Sequence, residues 1–458
     1  MAMLYLPELT YAKGFFQPGY GLLVDERGVI LQIGAGIATA GHTVVPMLRK
    51  ALLPGMVNGH SHTFQRLIRG VAEHGGPNGD DFWAWRNRMY AAAAALSPEE
   101  LFHVARIAFL EMALNGITAV GEFHYVHRNT DGSAYEDPNL LSKAVIRAAS
   151  SVGIRIALLR VAYFRAGFEL PPNSGQKRFY ETPDEYIDAV SRLERELPGL
   201  GPTASLGVAP HSIRAVPLDS LKRIAAWAGE RKLPVHIHVA EQMAEITACK
   251  REYGLSPIRL LAQHGLLNEH VTLVHAIHTT GDEVESIARA QATICSCPTT
   301  ERNLGDGIVD AETAIRASVP FSFGSDSQAT INLLEDAREL DYHLRLKQQR
   351  RVPLDGIGGE DLSERLFRFA TQGGARSLGL PTGTLEAGSP ADFFTVDLDD
   401  IAIAGATAEE LLPTLVFSLD RSGVRDVVVQ GKTIVADGKH PLAEEIVAAY
   451  RQTAVRIT

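Results

Sequence analysis

Two histidines one residue apart, His60 and His62, close the apolar run "LLPGMVNGHSH". Alternate residues of a strand share a face, so both imidazoles can point the same way. "PVHIHVAE" repeats the spacing at His236 and His238 and places Glu241 three residues further on. His275 ends "VTLVH", and Asp326 lies in "FSFGSDS". Alone, such a histidine is ordinarily a satisfied core residue and such an aspartate a helix cap. Together, three imidazoles and one carboxylate are the donors of a catalytic zinc that keeps one position for water. His60, His62, His238 and Asp326 form that set. His236, one layer deeper, reads as packing.

The set works only if strand ends from distant parts of the chain converge. Eight short apolar, β-branched runs are spaced to do this: 52–57, 117–123, 154–161, 205–209, 234–240, 271–276, 292–296 and 319–324. Helical patterns lie between them. The clearest is 97–116, with Ser97 as N-cap, Pro98 at the first helical position, Glu100 completing a capping box and Asn115-Gly116 as the stop. Residues 217–232 and 281–291 carry apolar positions three and four apart. This α/β alternation predicts a (β/α)8 TIM-type barrel over residues 52–380, whose reactive groups gather where the strands end. An open doubly wound sheet would carry a glycine-rich phosphate loop after its first strand, and the sequence has none. "GKT" at 431–433 lacks the upstream glycine of a P-loop and reads as a hairpin turn.

Both ends read as strand–turn–strand. Residues 1–51 and 381–458 are expected to pair into one small discontinuous β-sandwich. A net charge of −10 without a long basic run gives no support to nucleic-acid or membrane-surface binding. It would also repel an anion at long range, so an anionic substrate must be met by local arginines. The three cysteines, Cys249, Cys295 and Cys297, form no C-x-x-C pair and suit reduced thiols in a cytoplasmic protein. No signal peptide or membrane span is read.

The stretches "HSHTFQR" (60–66), "APHSIR" (209–214), "HIHVAEQ" (236–242) and "CPTTERNLGDG" (297–307), with His275 and "SDS" at 325–327, resemble the amidohydrolase superfamily. Within its single-metal deaminase branch they are similar to the N-formimino-L-glutamate deiminases, the iminohydrolases of histidine degradation. The resemblance spans about residues 50–345. Two-metal members bridge their ions with a carbamylated lysine at the end of strand four. Here that position reads "SLGVAPHS", with no lysine before Lys222, so one divalent ion, zinc, is expected.

The resemblance implies a chemistry and a pocket. Zinc on His60, His62, His238 and Asp326 would lower the pKa of its water to about 7. Asp326 would take the proton, Glu241 would pass it to the departing nitrogen, and His275 would stabilise the tetrahedral intermediate. Gln65, Arg86, Tyr125, His211 and Arg214 would line the pocket for a small dicarboxylate, since a guanidinium fork binds carboxylate bidentately. Arg66 and Arg88 neighbour these positions, and His124 and His127 compete with Tyr125 for the inward-facing place. Gln328 stands where the deiminases usually carry histidine, a departure expected to alter the pocket. A homodimer is implied as well. The rival reading is a deaminase of an aminated heterocycle such as a purine or pterin, for which two pocket arginines are excessive. A non-catalytic barrel scaffold would not need the full ligand set plus Glu241. The glycine-rich stretch 71–84 is a candidate lid.

Overall fold

The computed structural model describes residues 2–71, 73 and 81–457, without the side chains of 81–84. Residues 72 and 74–80 of the candidate lid lie outside the described residues. Eight strands form one all-parallel sheet in chain order: Met56–Ser61, Ile117–His124, Arg155–Ala162, Ala204–Pro210, Val235–Val239, Val271–His275, Thr293–Ser296 and Phe321–Phe323. The strands are buried on both faces, by helices outside and by one another's side chains inside the barrel, which explains why these segments read as unbroken apolar runs. Most of their residues are fully buried.

The first and eighth strands meet at the residues with the chemistry. His62 donates its main-chain N–H to the Asp326 carbonyl at 3.0 Å, and the Asp326 N–H donates to the His60 carbonyl at 3.0 Å. Barrel closure therefore sets the spacing between the H-x-H pair and Asp326.

The first expected strand, 52–57, is split. Leu53 and Pro54 end a strand of the other sheet, Thr43–Pro54, where they pair with Phe394 and Phe393. Met56 begins the barrel. Gly55 marks the switch because a Cβ there would lie 2.1 Å from Thr118 Oγ1. Pattern reading merges the two strands, since both are apolar and only one residue separates them.

That other sheet joins the chain's two ends. Its order is Lys432–Val435, Val424–Val429, Phe393–Asp397, Thr43–Pro54, Met3–Ala12, Tyr20–Val24 and Ile30–Ala35, with Phe15–Pro18 on a separate edge of Met3–Ala12. Tyr5, Leu22, Met47, Phe393 and Val428 share its apolar core. Gly28, at φ +77°, fits against the opposing hairpin turn, where a Cβ would meet the Gln430 carbonyl at 1.9 Å. A buried ion pair, Arg155 Nε to Asp392 at 2.9 Å, ties the sheet to the third barrel strand. Removing one partner of such a pair costs about 3–5 kcal/mol.

The capped helix is Pro98–Leu114, with both capping-box bonds between Ser97 and Glu100. The other two expected helices are Leu218–Arg231 and Gly281–Ala290. A further helix, Asp81–Ala95, stands between the first strand and Pro98–Leu114. Its alanine run favours helix but shows no apolar stripe, so periodicity does not reveal it. No helix among the described residues is long and apolar enough to cross a membrane.

Candidate metal centre and pocket

Three imidazole nitrogens converge. His60 Nε2 lies 3.2 Å from His62 Nε2 and 3.1 Å from His238 Nε2, and the last two are 3.4 Å apart. Asp326 Oδ1 lies 3.3 Å from His60 Nε2 and 3.2 Å from His62 Nε2. Nitrogens bound to zinc at 2.0–2.1 Å in a tetrahedron stand about 3.3 Å apart. The Nδ1 atoms of His62 and His238 donate to the carbonyls of Phe123 (2.9 Å) and His211 (3.1 Å). In the neutral tautomer this leaves the Nε2 lone pairs facing one another, an arrangement that a cation relieves. Burial keeps the His60 imidazole neutral, with its pKa lowered to about 3. Burial opposes ionisation of Asp326, but His60, His62 and His275 outweigh it and hold the carboxyl well below its usual range. The donor set fits a divalent ion.

The surrounding backbone is strained. Ala240, His275, Ala276, Asp326 and Gln328 all have positive φ, between 44° and 70°. Each such non-glycine residue costs on the order of 1–3 kcal/mol, and such residues cluster where function over-determines geometry.

His275 Nδ1 faces Glu301 Oε1 at 3.3 Å, which turns Nε2 into the site, 3.8 Å from Asp326 Oδ2 and 3.9 Å from Glu241 Oε1. Burial disfavours its charge, yet Glu241, Glu301 and Asp326 prevail and raise its pKa well above the ordinary value. His275, Cys297 and Glu301 also lie close enough to suggest a second ion group. Glu301, however, is already engaged by His275, the Cys297 N–H and Ser296 Oγ. Burial pushes the Cys297 thiol up, away from the thiolate a metal needs.

A narrow cleft opens above these groups. It is lined by Gln65, Arg86, Tyr125, His211, Arg214, Glu241 and His275, with His62, His238 and Asp326 at its floor. His60 lies beneath them, fully buried. Gln65 Nε2 donates to the Tyr125 hydroxyl at 2.8 Å, and the His211 ring stacks on His238 at 4.9 Å. The competitors point elsewhere. Arg66 pairs with Glu111 at 3.2 Å, Arg88 is exposed, and His127 bonds the Val161 carbonyl at 2.9 Å. His236 bonds the Ser377 carbonyl at 2.7 Å, deeper in the barrel.

Gln328 corrects an expectation. Its side chain is fully buried and does not line the cleft. Nε2 donates to Ser61 Oγ at 2.8 Å and Oε1 accepts from Ser325 Oγ at 3.0 Å. Ser61 in turn donates to Glu122 at 2.7 Å, and Asn58 donates to Ser325 at 2.7 Å. The amide thus bridges the first and eighth strands, and its effect on the pocket is indirect.

Sequence reading missed Glu122 and Glu301, the first of which was visible as a lone charge inside the apolar run "ITAVGEF". It also missed Trp85, Met89, Tyr90, Tyr163 and Phe179 in the cleft wall. Glu245 accepts from the Glu241 N–H at 3.3 Å. Burial pushes its carboxyl up to about 7, with Arg214 opposing and Glu241 reinforcing.

A model of the amidohydrolase family matches residues 51–434. The chain belongs to the amidohydrolase family. The formimidoylglutamate deiminase of Pseudomonas aeruginosa is 40% identical to this amidohydrolase over 430 residues, 94% of each chain. The 5-methylthioadenosine/S-adenosylhomocysteine deaminase of Pyrococcus horikoshii is 27% identical over 93% of this chain and 92% of its own. A crystal structure of an amidohydrolase from Brucella melitensis superposes with a TM-score of 0.92 at 33% identity, covering 99% of both chains. An adenosine deaminase from Xanthomonas campestris with bound zinc, 24% identical, shares the fold at a TM-score of 0.84 over 99% of this chain and 98% of its own.

Proposed function

We propose that the protein hydrolyses the formimino C–N bond of N-formimino-L-glutamate, giving N-formyl-L-glutamate and ammonia in histidine degradation. The observation that carries this reading is a cleft with a three-histidine, one-aspartate floor and two arginines, Arg86 and Arg214, in its wall. The 40% identity with the Pseudomonas deiminase supports it. His60, His62, His238 and Asp326 would hold one divalent ion, and the donor set and spacing suit zinc. Bound there, it would make hydroxide available near neutral pH and polarise the C=N bond.

The protein's own groups do the rest. Asp326 accepts the proton of water at Oδ2, the oxygen turned toward His275. His275 Nε2, held as a donor by Glu301 behind it, hydrogen-bonds the attacking oxygen as charge develops. Glu241 carries protons to the nitrogen that leaves. The oxygen becomes the formyl carbonyl, the C–N bond breaks, and both water protons end on the departing imino nitrogen, which leaves as ammonia. Arg86 and Arg214 anchor the carboxylates of a substrate that the overall charge of −10 would otherwise repel. Three free, buried cysteines support a reducing, cytoplasmic setting.

The test compares kcat/KM for N-formimino-L-glutamate and 5′-methylthioadenosine, with Arg214→Met beside the natural protein. The formimino substrate is expected to lead by at least about 10³-fold. Arg214→Met should raise its KM by roughly 30-fold, the loss of a charge-assisted bond of about 2 kcal/mol, with kcat falling far less. Preference for the purine, with Arg214→Met indifferent, would contradict the reading.

A further inference from the structure

Gln176, in the loop after the third barrel strand, is 1% exposed and lies behind the cleft wall. Its Nε2 donates to the hydroxyl oxygens of Tyr90 at 3.1 Å and Tyr163 at 2.8 Å. Each of those oxygens also accepts from an arginine: Tyr90 from Arg86 Nε at 2.7 Å, and Tyr163 from Arg214 Nη1 at 3.4 Å. One amide thereby joins both pocket arginines through two phenols.

The donor count gives this ring its consequence. A phenol oxygen has two lone pairs and one hydrogen. In each tyrosine both lone pairs face N–H donors, and neither an arginine nor the Gln176 NH2 can take the hydroxyl proton. Both hydroxyls belong to residues that line the cleft. The Gln176 Oε1, buried and without a partner, keeps the amide's polarity readable, since reversing it would bury two unpaired N–H groups instead of one carbonyl. The loop is held firmly. Two residues on, buried Arg178 donates to the carbonyl of Arg128 (2.8 Å) and to that of Leu96 (2.7 Å), the residue just past the helix Asp81–Ala95 that carries Arg86 and Tyr90.

We infer that Gln176 is a positioning and specificity residue that turns the Tyr90 and Tyr163 hydroxyls into donors toward a substrate carboxylate. With Arg86 and Arg214 they form an anion cradle in which all four side chains present N–H or O–H donors. This rests on the dicarboxylate deiminase reading above and adds two hydroxyl donors and their organiser to it. The cradle selects dianions and penalises a neutral heterocycle, which would leave these donors unpaired.

The test uses the metal-loaded protein with Gln176→Glu and Gln176→Met. Glutamate keeps the volume but would accept both phenol protons and add negative charge; methionine merely removes the donor. KM for N-formimino-L-glutamate is expected to rise by at least about 100-fold in Gln176→Glu and about tenfold in Gln176→Met, with kcat changing less than KM in both. A purely structural role would instead lower kcat together with the melting temperature in both variants, without a change confined to KM. That pattern, the reverse order of KM effects, or KM within threefold of the natural protein in both variants overturns the inference. Calorimetric binding of N-formyl-L-glutamate separates the two claims. If the natural protein binds it, the variants weaken that binding in the same order and turnover is absent, the reaction reading has failed and the cradle stands. If the variants bind it as the natural protein does, the cradle has failed.

Discussion

Glu241→Gln is expected to lower kcat for N-formimino-L-glutamate by at least about 10³-fold, within the span that a positioned acid–base group supplies. Glutamine keeps the shape and a hydrogen bond but carries no transferable proton. The carboxylate reaches into the cleft from the segment after the fifth strand, 3.9 Å from His275 Nε2. It contacts no member of the ligand cluster in the way that His60, His62, His238 and Asp326 contact one another. Metal content should therefore match that of the natural protein, and KM should move by less than tenfold. Steady-state ammonia release with metal analysis checks this. A fall in kcat of less than tenfold would remove Glu241 from proton transfer.

Metal removal should have a comparable effect on rate and a second effect on stability. Chelation is expected to cut turnover by at least about 10³-fold, and about one equivalent of zinc per chain should restore it. The stripped protein should also melt lower, because an ion that binds only the folded state at a free concentration of 1,000 Kd adds about 4 kcal/mol. The reason is visible in the site: three buried Nε2 atoms converge within 3.1–3.4 Å of one another beside Asp326, donors that a cation would hold together. His238→Ala should lower both metal occupancy and melting temperature. Full activity after exhaustive chelation would exclude the centre from the reaction.

Much of this arrangement was legible in the sequence, for a physical reason. A strand buried on both faces must be an apolar run, so a polar residue at its end stands out, as His62, His275 and Asp326 do. Caps are equally local, and Ser97 with Glu100 marks its helix unaided. What escaped depends on partners distant in sequence. The split at Gly55 is set by Thr118 and Phe394 across two sheets. Gln328 was expected to alter the pocket by its place beside "SDS", yet its side chain is spent on Ser61 and Ser325, bridging the first strand and the segment after the eighth. Tyr90, Tyr163 and Gln176 come from a helix, a strand end and a loop that share no pattern, and only their convergence makes them a unit. Glu301 lay inside a stretch that sequence reading had already singled out, but nothing local shows that its partner is His275.

The most direct measurement is product analysis by NMR of N-formimino-L-glutamate turned over by the zinc-loaded protein. Deimination at this centre gives N-formyl-L-glutamate and ammonia in equal amounts, at a rate that Glu241→Gln lowers by at least about 10³-fold. Formamide with free glutamate would mean that the other C–N bond breaks, and no turnover by zinc-loaded protein would mean that the cleft serves another substrate. Either result would contradict the function proposed for it.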